Sequence, residues 1–181
     1  SDKTVVVLEG DQTGQELLEE SLRVLDPSVT GVPTRFERFD LSLATRRATQ
    51  NQIVRDAASA MRASGLSLKA ATITPETQGD VGSPNAILRE EIDGKVILRT
   101  GRRIPHVRPV GGVHAPIAIV RMAVDDAYGA KEWRDLSNDD EIAYRTEKIS
   151  RKPCRAVTEF AFQYAEKSGA KLMITHQRRY S

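Results

Sequence analysis

The stretch that decides the fold is SPNAILR at residues 83–89, inside a longer segment that runs from 72 to 121. A serine followed by proline, after a loop with Gly79 and Gly82, predicts a helix with Ser83 as its N-cap. This start places Ser83 and Asn85 at the helix end whose free backbone N–H groups favour an anion. Arg89 follows one helical turn later, on the same side as Asn85.

Further arginines follow this helix at the ends of strand-like apolar runs. Arg99 closes the run VIL, Arg102 and Arg103 come directly after it, and Arg121 ends the run IAIV. A guanidinium group binds a carboxylate through two parallel hydrogen bonds, so such a set suits a small molecule with several carboxylates. Solvated surface arginines are the other interpretation, because exposure is the usual state of this side chain. The spacing alone leaves both open.

Several short motifs occur in a fixed order along the chain. They are TITP at 72–75, Ser83-x-Asn85-x-x-x-Arg89, Arg99, and IVR at 119–121 with Tyr128 seven residues later. Flanking them are VVVLEGD at 5–11, LK at 68–69, FAF at 160–162 and LMITH at 172–176. Together these motifs resemble the isocitrate and isopropylmalate dehydrogenase family of β-decarboxylating enzymes, over nearly the whole chain.

The pattern of the chain predicts an α/β fold. A β-branched strand at 4–8, a glycine turn at 10–14 and a helix at 15–25 open it, and strand and helix alternate afterwards. The turn lacks the G-x-G-x-x-G spacing of a dinucleotide fold. The resemblance implies the sheet of that family with flanking helices and a clasp excursion, not a Rossmann fold.

Later elements follow the same rules. Periodicity predicts strands at 34–39, 70–74, 141–149 and 171–176, helices at 51–64 and 152–168, and a loop at 104–115. The prediction is a first lobe at 1–103 and a second at 104–181. The resemblance implies that the second lobe carries the clasp and forms a homodimer through residues 133–150.

Composition limits the class of partner. The 181 residues hold 27 basic and 25 acidic side chains, so the net charge of +2 gives no field for a nucleic-acid partner. A single cysteine, Cys154, fits a reducing compartment. No apolar run is long enough to span a bilayer and no leader is evident, which predicts a cytoplasmic protein without a membrane partner.

The resemblance implies the oxidation of a 2-hydroxy acid by NAD or NADP, followed by loss of carbon dioxide with Mg or Mn. The substrate is a small hydroxy-carboxylate. Arg89, Arg99 and Arg121 match the positions that clamp its carboxylates. Ser83 and Asn85 match the positions that select its variable arm, and the pair is closer to the isocitrate branch than to the isopropylmalate branch.

The resemblance also implies the remaining catalytic and cofactor positions. Thr72 or Thr74 matches the threonine on the nicotinamide side. Tyr128 matches the acid that protonates the enol, which needs a nearby cation because a free phenol has a pKa of about 10. No residue is assigned as a metal ligand; His106 and His114 have neither cysteine nor carboxylate between them.

Three departures from the family pattern bear on function. Gln177 occupies the place of the lysine that serves the tyrosine, and a glutamine transfers no proton. Two acids, Glu76 and Asp80, flank the substrate arm and are expected to repel isocitrate. The resemblance implies a further C-terminal half, with metal-binding aspartates and an adenosine loop, and residues 1–181 do not contain these segments.

Two functional hypotheses therefore stay open. The chain is either part of an NAD(P)-dependent hydroxy-acid dehydrogenase, or a non-catalytic carboxylate-binding or regulatory relative in a hetero-oligomer. The arginine and serine–asparagine set fits both, whereas Gln177 and the absent aspartates favour the second. An α/β sheet cut at its midpoint would leave unpaired edges and exposed apolar faces. This expectation favours the first hypothesis, in which the chain is part of a larger enzyme.

Overall fold

A computed structural model describes residues 3–77, 79–112, 115–137, 140–170 and 173. The contacts between residues group the chain into two units, Ser1–Gly94 and Lys95–Ser181. The fold is mixed α/β, as predicted, with parallel strands in the first unit and antiparallel strands in the second. The lobes expected at 1–103 and 104–181 stay a prediction about domains; the two units defined by contacts divide between Gly94 and Lys95.

The first unit is built on a parallel sheet. Its elements are β1 (Lys3–Glu9), α1 (Gln12–Leu25), α2 (Pro27–Thr30), β2 (Thr34–Asp40), α3 (Leu43–Ala48), α4 (Gln52–Ser64), β3 (Ser67–Lys69) and α5 (Pro84–Glu91). The strand order is β2-β1-β3, with both neighbours parallel to β1. The β-branched residues of β1 suit this central position, where both faces are covered.

Helices cover the sheet of the first unit on both faces. Because side chains alternate along a strand, Val6 and Leu8 of β1 point to one face and Val7 to the other. Val6 and Leu8, both fully buried, pack with α4 residues such as Val54. Val7 packs with Leu18 and other residues of α1. The apolar period of each helix thus forms one of two cores.

The second unit is antiparallel. It contains β4 (Val96–Gly101), β5 (Ile117–Met122), β6 (Asp126–Ser137), β7 (Asp140–Lys148) and α6 (Arg151–Ser168). Strand β4 pairs with β5, and β6 pairs with β7 as a long hairpin. Helix α6 packs on the face of β5 that presents Met122, whose Sδ lies 3.9 Å from Cys154 Sγ.

Most predicted elements are confirmed, but the strand predicted at 70–74 is wrong. The strand of this region is β3, and the described residues from 70 to 76 have no regular structure. Ala70 still donates to Leu8 O at 2.9 Å, after which the chain turns away. Asp11 holds the chain there by two hydrogen bonds: its N–H donates to Ala71 O, and its carboxylate accepts from Ile73 N.

The short helices α2 and α3 were not predicted. The described residues of the segment 104–115 form no helix and no strand, as predicted for a loop. The strand predicted at 171–176 lies outside the described residues, except position 173. None of the described helices is long and apolar enough to cross a membrane.

Candidate functional site

The helix start predicted at Ser83 is confirmed. Ser83 is the N-cap of α5 with extended backbone, and its Oγ accepts a hydrogen bond from Asn85 N at 3.3 Å. Pro84 occupies the first helical position, where its missing N–H costs no helical hydrogen bond, and it is buried. Asn85 and Arg89 are four residues apart on this helix and therefore share one face.

The structure brings Ser83, Asn85 and Arg89 together on α5, in the first unit. Arg99 and Arg121 lie in the second unit. Within the described parts of the chain, no hydrogen bond or ion pair engages the guanidinium of Arg89 or of Arg99.

In the second unit, Arg99 and Arg121 share one face of the β4–β5 ladder. Arg99 pairs with Ile119, and Arg121 pairs with Ile97 two residues along the ladder. Diagonal neighbours of this kind lie about 7–8 Å apart, within reach of two long side chains on one ligand. Met122 marks the opposite face, which α6 covers. The paired arginines are therefore on the face that α6 leaves uncovered.

The glycine turn before α1 is closed rather than open to a phosphate. Gly10 N donates to Gln15 Oε1 at 2.9 Å, and Gly14 N donates to Asp11 O at 3.0 Å. A Cβ on Gly10 would lie 2.0 Å from Ala71 O, so the backbone of residue 71 occupies the space beside the turn. The backbone N–H groups of Gly10, Asp11 and Gly14 are therefore already engaged and are not available to a phosphate.

That turn instead holds the threonine loop, defined here as residues 70–82, of which 78 lies outside the description. The carboxylate of Asp11 accepts from Ile73 N and from Leu43 N, each at 2.9 Å. One side chain thereby joins the threonine loop to the start of α3. Both oxygens of Asp11 serve the backbone, so this acid has a positioning role.

Arg46 anchors the same loop from α3. Its side chain is fully buried, and it donates to three carbonyl oxygens, those of Leu41, Ile73 and Gly82. Burial lowers the pKa of Arg46 from its ordinary value, whereas the charges of Asp11 and Asp80 act to raise it. The planar guanidinium has five donors in a fixed fork and can therefore bridge three backbone segments at once.

The acidic part of the threonine loop is neutralised at Asp80. Arg47 Nη2 lies 2.7 Å from Asp80 Oδ2, and Val81 N donates to Oδ1 at 2.7 Å. The hydrogen bond from Arg47 is the first cause that lowers the pKa of Asp80. The expectation that Asp80 repels a carboxylate ligand is weakened by this ion pair, since the two charges offset each other. Glu76 is exposed.

A half-buried lysine lies beside one of the predicted threonines. Lys69 ends β3, and its Nζ donates to Ala70 O at 2.8 Å and to Thr72 Oγ1 at 3.2 Å. Burial first, then the charge of Arg46, lowers the pKa of Lys69 to about 8. Thr72 is partly buried, whereas Thr74 is exposed. The structure thus distinguishes Thr72, which contacts Lys69, from the exposed Thr74, whereas the sequence alone did not choose between them.

Other predicted residues carry less structural information. The backbone of Tyr128 belongs to β6, and its side chain lies outside the described residues, as do Gln177 and His114. Among the described residues there is no group of three or more His, Cys, Asp or Glu side chains that could hold a metal ion. The roles of Tyr128 and Gln177 therefore stay predictions.

Asp11, Arg46 and Lys69 were not predicted as functional residues. Asp11 and Lys69 fall inside the motifs VVVLEGD and LK, so a signal for them was present. Arg46 stands in the unremarkable sequence ATRRAT, next to an exposed arginine of the same type. Only the tertiary contacts distinguish Arg46 from Arg47.

The fold and site define a class of protein, an α/β chain that carries candidate ligand-binding arginines on α5 of the first unit and on the β4–β5 ladder of the second. Known proteins narrow that class. The model of the isocitrate/isopropylmalate dehydrogenase family matches residues 4–179. The chain belongs to this family.

Individual relatives agree with the family model. The NADP isocitrate dehydrogenase of Thermus thermophilus is 27% identical over 171 residues, 93% of this chain and 33% of the relative. The mitochondrial NADP isocitrate dehydrogenase of Saccharomyces cerevisiae is 32% identical over 71% of this chain and 31% of its own length. A mitochondrial NAD(+) enzyme of Phaeodactylum tricornutum is 33% identical over 54% of this chain and 19% of the relative. The chain spans about a third or less of the length of each of these relatives.

Proposed function

We propose that this chain supplies the substrate-binding part of an NAD(P)-dependent oxidative decarboxylase that acts on an isocitrate-like 2-hydroxy di- or tricarboxylate. The observation that carries the proposal is the shared face of Arg99 and Arg121 on the β4–β5 ladder, beside the family membership. Two guanidinium groups at this spacing match two carboxylates of one small molecule. The names of the relatives, isocitrate dehydrogenases that use NADP or NAD, agree with it.

The remaining roles follow from the first unit. Arg89 contributes a further cation for a ligand carboxylate, and Ser83 and Asn85 select its variable arm from the start of α5. The ion pair between Asp80 and Arg47 supports a charged arm over an apolar one, because it removes a source of repulsion. Tyr128 acts as the acid that protonates the enol.

Cofactor binding is assigned only in part. The hydroxyl of Thr72, held by Lys69, or that of Thr74 contacts the nicotinamide side. The glycine turn at 10–14 does not bind the cofactor phosphate, which agrees with the engaged N–H groups of Gly10, Asp11 and Gly14 and with a fold other than the Rossmann type. Mg or Mn supports decarboxylation in the family reaction. The described residues do not fit a metal site, so no step is assigned to the metal here.

Replacing Arg99 with alanine tests the proposal. We expect the dissociation constant for isocitrate, measured by titration calorimetry at low salt, to rise by roughly 10- to 100-fold, since hydrogen bonds to charged groups contribute about 1.5–3 kcal/mol. Arg102→Ala is the matched control, because it removes the same charge from an exposed position of the same unit. If both variants raised the dissociation constant equally, the loss would reflect the net charge of the protein and not a binding site at Arg99.

Activity separates this proposal from a non-catalytic carboxylate-binding relative. The intact protein, isolated from its native source, is assayed with isocitrate, NAD or NADP, and Mn, and reduced nicotinamide is followed by absorbance. Isocitrate binding that depends on Arg99, without any reduced nicotinamide, would show a binding or regulatory protein. Turnover that Arg99→Ala abolishes would support the enzyme.

We also propose that the hairpin of β6 and β7 is the clasp of a homodimer, through residues 133–150. Its apolar side chains are exposed: Leu136 retains 80% of its surface, and Trp133, stacked on Tyr144 at 4.9 Å, retains 42%. Exposed aromatic and aliphatic groups on a regular hairpin favour association with a second copy.

Leu136→Lys is expected to raise the dissociation constant of this dimer, measured by sedimentation equilibrium, at least about tenfold. The reason is that the interface would have to bury a charge. The new lysine would stand opposite Glu141, so the hairpin itself is preserved. Val110→Lys changes another exposed apolar residue of the second unit and serves as the control. An unchanged dimer in the Leu136 variant would place the interface elsewhere.

A further inference from the structure

Lys69 lies in an excess of positive charge that no acid of its surroundings balances. Charged groups act on it from three elements: Arg46 from α3, Arg89 from α5, and Asp11 from the turn before α1. Lys69 itself, Arg46 and Arg89 are thus three cations around a single carboxylate, that of Asp11. Asp11 gives both of its oxygens to backbone N–H groups rather than to any of these cations.

The two hydrogen bonds of Lys69 point its ammonium at the threonine loop. The third donor of the group is not engaged by any hydrogen bond among the described residues. A half-buried ammonium among other cations costs free energy that a ligand anion would recover. The pKa of Lys69, lowered to about 8 chiefly by burial and then by Arg46, reports this cost.

We propose that Lys69 is an anion-binding residue that takes up a proton from solvent when a carboxylate ligand binds near Thr72 and Arg89. The inference deepens the proposed function, on which it rests. The proton is added to the neutral Nζ, and no other bond forms or breaks. The ammonium then keeps its hydrogen bond to Thr72 Oγ1 and gives its remaining donor to a ligand oxygen.

The sign of the pH dependence follows from linkage. A bound carboxylate favours the charged form of Lys69 and therefore raises its pKa above the value in the free protein. Below about pH 8 the residue is already protonated, and the affinity is at its full value. Above that pH each binding event must also bind a proton, so the affinity falls by up to about tenfold per pH unit.

Titration calorimetry with isocitrate across pH tests the inference on the whole chain. Between about pH 7.5 and pH 9 we expect the dissociation constant of the unmodified protein to rise roughly tenfold. Lys69→Arg keeps the charge without titrating in this range, so its dissociation constant should stay flat. Lys69→Met should bind more weakly at about pH 7 and should also be flat. Lys152→Met, exposed on α6, should behave as the unmodified protein.

A second measurement needs no variant. At about pH 8 the binding enthalpy of the unmodified protein, measured in buffers of different ionisation enthalpy, should show uptake of roughly half a proton. Binding with no proton uptake, or with the same pH dependence in Lys69→Arg, would overturn this inference and leave the proposed function standing. Absence of isocitrate binding at every pH would overturn the proposed function and the inference together.

Discussion

Replacing Arg46 with methionine is expected to lower the free energy of unfolding by about 3 kcal/mol. Methionine keeps much of the volume but has no donor, so the carbonyl oxygens of Leu41, Ile73 and Gly82 lose their partner. A buried carbonyl without a partner costs about 1–3 kcal/mol. Part of this loss is offset, because the variant no longer buries a charge whose desolvation lowers the pKa of Arg46.

Arg47→Met is the matched control for this prediction, since it changes the next residue of the same helix. Arg47 is exposed and its ion pair with Asp80 lies at the surface of the unit, where such pairs contribute about 0–1 kcal/mol. Urea unfolding followed by far-ultraviolet circular dichroism measures both variants. If the two substitutions had the same effect, the burial of Arg46 would carry no special contribution.

The same substitution has a consequence for the site. Arg46 and Asp11 both hydrogen-bond to the backbone of Ile73. Arg46 donates to the Ile73 carbonyl oxygen, and the Asp11 carboxylate accepts from the Ile73 N–H. Removing Arg46 therefore releases one of the two hydrogen bonds that hold residue 73, next to Thr72. The loop would explore more conformations at the position where Lys69 holds the threonine hydroxyl. Ligand affinity should fall even where the chain remains folded.

Local chemistry explains why parts of the site could be predicted from sequence. The N-cap at Ser83 depends on its neighbour Pro84 and on a nearby N–H, all within three residues. The shared face of Arg99 and Arg121 depends on two apolar runs that pair in register, and each run was visible in sequence. Such features need only short-range rules and one strand pairing.

The features that were missed depend on contacts between distant residues. The strand predicted at 70–74 has β-branched residues in its favour, but Asp11 draws residues 71 and 73 into its own hydrogen bonds and ends the ladder at β3. Arg46 and Arg47 are indistinguishable in sequence, and only burial against residues about 30 positions away separates them. Propensity is overridden here by tertiary contacts.

Replacing Gly10 with alanine is expected to destabilise the first unit by about 4 kcal/mol, because the site has no room for a Cβ. The added atom would lie 2.0 Å from Ala71 O and 2.8 Å from Ala70 Cβ. Neither neighbour is the end of a flexible side chain. The backbone of the threonine loop must therefore move away from the turn, which strains the bond between Asp11 N and Ala71 O.

Gly111→Ala provides the control for Gly10→Ala, since a Cβ there meets no atom within 4 Å and the backbone needs no left-handed conformation. Its effect should stay within about 0.5 kcal/mol in the same urea titration. The loop shift adds a second readout: in Gly10→Ala the Lys69–Thr72 contact is displaced, so isocitrate should bind more weakly to the folded fraction. Full stability and full affinity in Gly10→Ala would mean that residue 71 can retreat without cost, and that the glycine turn does not position the threonine loop.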